Sequence, residues 1–138
     1  MRRTLAFLLF TCIFAIAQTD HDYLTVRVLT PDGASPWPNM MIELQQEPDF
    51  GMKTMIRIKR KTDAHGVVRF HYDEVPPGKF HVASLKRGPI VCSIEKFTRD
   101  EIMHTGVVGD HNCVHSHVVP SIHARPGELI VFAEGEDY

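Results

Sequence analysis

Apolar and polar residues alternate along most of the chain beyond residue 22, in short runs divided by turn formers. Leu24, Val26 and Val28 share one face of a segment whose other face carries Thr25 and Arg27, the period-two pattern of a half-buried strand. Pro31-Asp32-Gly33-Ala34-Ser35-Pro36-Trp37-Pro38-Asn39 is dense in turn residues and predicts a loop. Met40, Ile42 and Leu44 restore the alternation. After a polar turn at 47–51, Ile56 and Ile58 face inward, opposite Arg57, Lys59 and Lys61, with Arg60 on the other face. Glu43 and Glu47 are placed to pair with this basic stripe, whose charges also guard a strand edge. Asp63-Ala64-His65-Gly66 predicts a tight turn that needs positive φ at Gly66. Val68, Phe70 and Tyr72 follow at period two, Val75-Pro76-Pro77-Gly78 turns the chain, and Phe80 and Val82 line the next strand. His71 and His81 then fall on outward faces of the strands flanking that turn.

The second half is less regular. Residues 90–94, which include Cys92, read as a strand, and 129–133 are apolar on both faces and predict a central one. Thr98-Arg99-Asp100-Glu101 fits a capping box that opens a short helix or turn through Met103. Residues 104–113 read as an irregular loop, and strand character returns at 114–119. Short strands at this spacing, without repeats or long linkers, predict one all-β sandwich.

The beginning of the chain follows a different logic. Arg2 and Arg3, an apolar stretch from Leu5 to Ile16 and the small-x-small pattern Ala15-Ile16-Ala17 predict a signal peptide at 1–17. That leaves a single exported domain at 18–138, periplasmic, cell-surface or extracellular. The apolar stretch is too short to cross a bilayer, and no second one follows, so no membrane span is expected in the mature chain. Cleavage removes Cys12 and leaves Cys92 and Cys113. Two cysteines in an oxidising compartment, without a Cys-x-x-Cys, predict a disulfide.

Composition narrows the function by exclusion. The chain of 138 residues is 43% hydrophobic and 23% charged, which excludes collagen-like, low-complexity and disordered classes. Without residues 1–17 it carries 13 basic against 17 acidic residues. With that balance and no aromatic residues interleaving the basic stripe, no nucleic-acid function is expected. Ser84, Ser93, Ser116 and Ser121 sit in no Gly-x-Ser-x-Gly elbow, and no glycine-rich phosphate loop occurs.

The run Thr62-Asp63-Ala64-His65-Gly66-Val67-Val68-Arg69-Phe70, followed by Val75-Pro76-Pro77-Gly78-Lys79-Phe80-His81-Val82, resembles the carboxypeptidase regulatory-like domains. Val26-Arg27-Val28 before Asp32-Gly33, and Pro126-Gly127-Glu128 before Leu129-Ile130-Val131, extend the resemblance. It implies a transthyretin-like (prealbumin-like, Ig-like) antiparallel β-sandwich of about seven strands, with an irregular insertion at 97–117. It also implies an accessory, non-catalytic module that binds or assembles, engaging a protein or glycan at the cell surface or self-associating through sheet edges. Two enzymatic relatives share the sandwich. Intradiol dioxygenases hold ferric iron with two Tyr and two His, but Tyr23, Tyr72 and Tyr138 match no such spacing; hydroxyisourate hydrolases end in Tyr-Arg-Gly-Ser, unlike Gly135-Glu136-Asp137-Tyr138.

Histidine is the compositional excess, nine in all, five of them between His104 and His123. On a strand, His115 and His117 would project on one face about 6–7 Å apart, a spacing that chelates one ion. His111 or His123 would supply a third nitrogen, for zinc or copper. No cofactor is expected on the module reading; on the alternative the protein is a zinc- or copper-binding protein, and on a third it is a divergent enzyme of the sandwich superfamily. Clustered histidines also suit a surface that charges as pH falls.

Overall fold

The computed structural model describes residues 22–48, 54–85, 88–110, 112–113 and 122–135. Eight strands and one helix form two sheets. They are β1 (Tyr23–Leu29), β2 (Met41–Gln46), β3 (Ile56–Lys61), β4 (Val67–His71), β5 (His81–Ser84), β6 (Ile90–Val91), α1 (Arg99–Thr105), β7 (Val107–Val108) and β8 (Glu128–Glu134). The larger sheet has the order β4-β1-β8-β6 with β7 also on β8, and the smaller has β3-β2-β5. Leu24, Val26, Val28, Ile42, Leu44, Phe70, Phe80, Leu129 and Val131 are buried in a shared core, as the alternation predicts for the inward positions.

The larger sheet is mixed rather than antiparallel, while the smaller is antiparallel throughout. β1 runs parallel to β8, pairing Val26 with Leu129 and Val28 with Val131, and β7 is parallel to the same strand. β8 is buried at every position but its last, the continuous apolar run of a strand covered on both faces. Leu129, Val131 and Ala133 face the main core. Ile130 and Phe132 point the other way, into a second cluster with Leu29, Cys92, Cys113, Val108, Ile122 and Ala124.

This second cover corrects the expectation of an irregular insertion at 97–117, as far as its described residues go. Phe80 and Phe97 exchange backbone hydrogen bonds of 2.9 and 2.7 Å. Thr98 caps α1, its Oγ1 accepting the Glu101 N–H at 3.3 Å, and Gly106 ends it at φ 70°. Ile102 of this helix lies wholly in the core. The expected loop 104–113 instead begins with the last turn of α1 and then β7. Alternation misses such pieces because a two-residue strand shows no period.

Other boundaries also moved. The strand expected at 90–94 ends at Val91, followed by one more bond to β8 from the Cys92 N–H to the Phe132 carbonyl at 2.8 Å, and Cys92 is joined to Cys113 by a disulfide. Tyr72 leaves β4 and opens a 3₁₀ turn, Tyr72–Glu74, capped reciprocally by His71 and Glu74. His71 and His81 are not neighbours on a hairpin, since β4 and β5 belong to different sheets. Glu47 pairs with Lys96 at 2.9 Å rather than with β3, while Glu43 lies 3.6 Å from Arg57 and 4.0 Å from Lys59. The predicted strand at 114–119 and the signal peptide at 1–17 lie outside the described residues. No described helix is long and apolar enough to cross a membrane.

The Asp63 turn is as the sequence predicts. Gly66 has φ 70°, and a Cβ there would lie 2.8 Å from both Pro36 Cβ and the Val28 carbonyl oxygen. Gly66→Ala is therefore expected to lower unfolding free energy by about 1–3 kcal/mol in urea titrations. Asp63 accepts the N–H groups of His65 and Val67 at 2.8 and 3.0 Å, with the Val67 bond the larger influence holding its carboxyl below the ordinary 3.8. A depressed carboxyl stabilises the fold above its unfolded pKa, and that stability is lost as pH falls through the folded value. Asp63→Ala should thus lose less stability than wild type between pH 7 and pH 3, read as the shift in urea midpoint.

Candidate functional site

A two-sheet sandwich exposes strand edges at both ends, and unpaired edge N–H and C=O groups template the addition of another strand. The two ends of this sandwich are treated differently. At the β3/β4 end, β3 presents Arg57, Lys59 and Lys61 to solvent. Arg60 reaches across to β4, donating to the Arg69 carbonyl at 2.7 Å and bidentately to Glu74 at 2.7 and 2.8 Å, with its guanidinium 5.3 Å from the Phe70 ring centre. On the same β4 edge, Asp63 bonds both the N–H and the C=O of Val67, and the His71 N–H donates to Glu74 at 3.0 Å. Side chains and the Asp63 turn have closed this edge.

Among the described residues, the β5/β6 end carries no comparable device. The Phe80 N–H and C=O point away from β2, toward Phe97, so by the alternation of a strand the backbone groups of Val82 and Ser84 point the same way. Among the described residues they have no hydrogen-bond partner there. Before Phe97 the chain lies apart from β5 and leaves a groove of about 380 Å³, lined by His81, Val82, Ala83 and Ser84 of β5 and by Ile90, Val91, Ser93 and Ile94. The strand bordering it has no charged residue between Val82 and Ser84, and Ile90 and Ile94 are 50% and 79% exposed. The Lys96–Glu47 ion pair marks one end, and the Lys96 ammonium holds the Glu47 carboxyl below its usual range.

The sequence-predicted ligand residues give a different result. His111, His115 and His117 lie outside the described residues. His123 is exposed. Cys92 and Cys113 form a disulfide with Cα atoms 5.2 Å apart. Their sulfurs and a Glu134 oxygen lie within 4.8 Å of one another, but sulfurs bonded to each other are not available as thiolate ligands. His104 sits on α1, where its Nδ1 donates to the Asp100 carbonyl at 2.7 Å.

A second hollow, also about 380 Å³, is lined by Tyr72, Asp100, Met103, His104 and Pro126. The Tyr72 hydroxyl donates to Asp100 at 2.7 Å, and this bond is the main reason its pKa lies above 10. A phenol held neutral in this way is a hydrogen-bond donor rather than a nucleophile. The residues lining the hollow include no Ser, Cys or Lys to pair with His104. Sequence reasoning did not find the β5/β6 groove, because an edge is defined by what fails to pair with it. The available signal was the uncharged 82–84 segment set against the basic stripe at 57–61.

No family model matches the chain, and no curated protein or solved structure is significantly similar to it.

The disulfide joins residues 21 apart, which the chain-entropy relation values at roughly 3 kcal/mol. Alkylation of the denatured chain lacking residues 1–17, followed by intact-mass measurement, should show no free thiol. Reduction should lower its unfolding free energy by that order.

Proposed function

We propose that this is an exported, non-catalytic β-sandwich module of the transthyretin-like type, which works by accepting an extended segment of a partner protein along β5. The observation that carries the reading is the contrast between the two ends of the sandwich. One has its β4 edge closed by Arg60, Glu74 and Asp63 and its β3 edge lined with basic side chains. The other leaves the Val82 and Ser84 backbone facing a groove that Ile90, Val91 and Ile94 border. Strand addition takes affinity from main-chain hydrogen bonds and selectivity from alternate side chains. The occupant that fits has apolar residues at every second position, set against Val91 and Ile94.

The likeness to the carboxypeptidase regulatory-like domains rests on the sequence motifs at 62–70 and 75–82. Asp63 and Gly66 form the expected tight turn, and the 75–78 segment carries the chain from the larger sheet to the smaller. Export draws support from the signal-like sequence at 1–17 and from the disulfide.

Titration with a heptapeptide of alternating Val and Thr, followed by amide NMR shifts, tests the reading. Saturable shifts centred on residues 82–84 and 90–94 are expected, and they should vanish in Ser84→Pro, which removes an outward N–H without breaking the β2 ladder. Shifts that map to β3 or β4 instead, or none at millimolar peptide, would sink it.

A further inference from the structure

The outer face of the larger sheet carries a second, unrelated surface. Along β1 and β4, Tyr23, Thr25, Arg27 and Arg69 point away from the core, and the turn at 125–128 closes over them to leave a hollow of about 220 Å³. Three arginines, Arg27, Arg69 and Arg125, line it with one acidic residue, Glu128. That concentration of positive charge stands on a chain whose net charge is −2.

The hollow is built rather than incidental. Glu128 is only 6% exposed; one of its oxygens pairs with the Arg27 guanidinium and the other accepts the Arg125 N–H at 3.1 Å. The single carboxylate is therefore occupied in orienting its neighbours. Arg69 lies over the Tyr23 ring at 4.4 Å, and His71 meets the same ring edge-on at 5.4 Å. The rim is fixed to the sheet by hydrogen bonds of 2.8 Å from Thr25 N–H to the Gly127 carbonyl and from Gly127 N–H to Ile102. Gly127 makes that turn at φ 84°, a conformation suited to glycine. Across Pro126 the hollow adjoins the one lined by Tyr72, Asp100 and His104.

We propose that this surface binds an acidic polysaccharide, with a uronate unit seated in the Arg-lined hollow and the next sugar lying across Pro126. Guanidinium forks match a carboxylate in charge and geometry. Tyr23 and the Thr25 hydroxyl supply the apolar edge and the hydrogen bond that a sugar ring takes. A hollow of about 220 Å³ holds one ring, and the adjoining hollow accounts for a polymer rather than a free anion. The surface shares no residue with the β5/β6 groove, so either site stands without the other.

Calorimetric titration with trigalacturonate at low salt is the test, with maltotriose as the uncharged sugar and triglutamate as the charged non-sugar. Saturable binding of trigalacturonate alone is expected, weakened about tenfold or more in Arg125→Ala, whose side chain is exposed, in keeping with the loss of a charge-assisted hydrogen bond. Tyr23→Leu, checked by its melting temperature, should weaken it as well, since it removes the ring over which the Arg69 guanidinium lies. The proposal is overturned by equal binding of maltotriose, by equal binding of triglutamate, by unchanged affinity in Arg125→Ala, or by no binding of trigalacturonate at about 10 mM.

Discussion

The constraint on which the structure depends is the burial of β8 on both faces. A strand reading Glu-Leu-Ile-Val-Phe-Ala-Glu has apolar side chains on either side, and a sandwich covers only the inward one. Leu129 and Val131 are met by the main core. Ile130 and Phe132 need a second layer, made from Val108, Ile122, Ala124 and the two cysteines. The described residues of that layer form no long helix or strand. The disulfide fastens it at Cys92, beside the β6 edge. Both edges of β8 are occupied as well, one by β1 and the other by β7 and β6 in succession.

What β8 demands also positions the surfaces. Because β6 is a mere two-residue strand, the larger sheet ends early on that side, and among the described residues nothing pairs with the outer edge of β5 beyond Phe80. Because α1 is anchored by Ile102 in the core, its Asp100 is held against Tyr72, and the turn at 125–128 is hydrogen-bonded to Ile102. The Arg-lined hollow lies under that turn. The same short region that shields β8 thus borders both surfaces.

Much of the first half was legible in the sequence, since the period-two positions Leu24, Val26, Ile42, Leu44, Phe70 and Val82 are the buried ones. Gly66 was legible because a tight turn demands its φ. The parallel pairing of β1 with β8 was not, because alternation reports which face is buried and not which strand lies alongside. Nor was Arg60, which on its strand looks like one more basic residue; its role as a cover for β4 depends on a carbonyl and a carboxylate nine and fourteen positions away. The groove left no periodic mark, since open edges differ from paired ones in their neighbours and not in their residues. Among the described histidines, His71 caps a 3₁₀ turn and His104 bonds back along its own helix.

The Arg60 clamp has a consequence for stoichiometry. A sandwich open at both ends can hand a template from copy to copy and grow without limit, as fibrils do. Here the β4 edge is occupied by the protein's own side chains and the β3 edge carries Arg57, Lys59 and Lys61, so on the function proposed above a strand taken up along β5 meets no open, uncharged edge at the other end. The Arg60 guanidinium, which looks like one more surface charge, then acts as a stop.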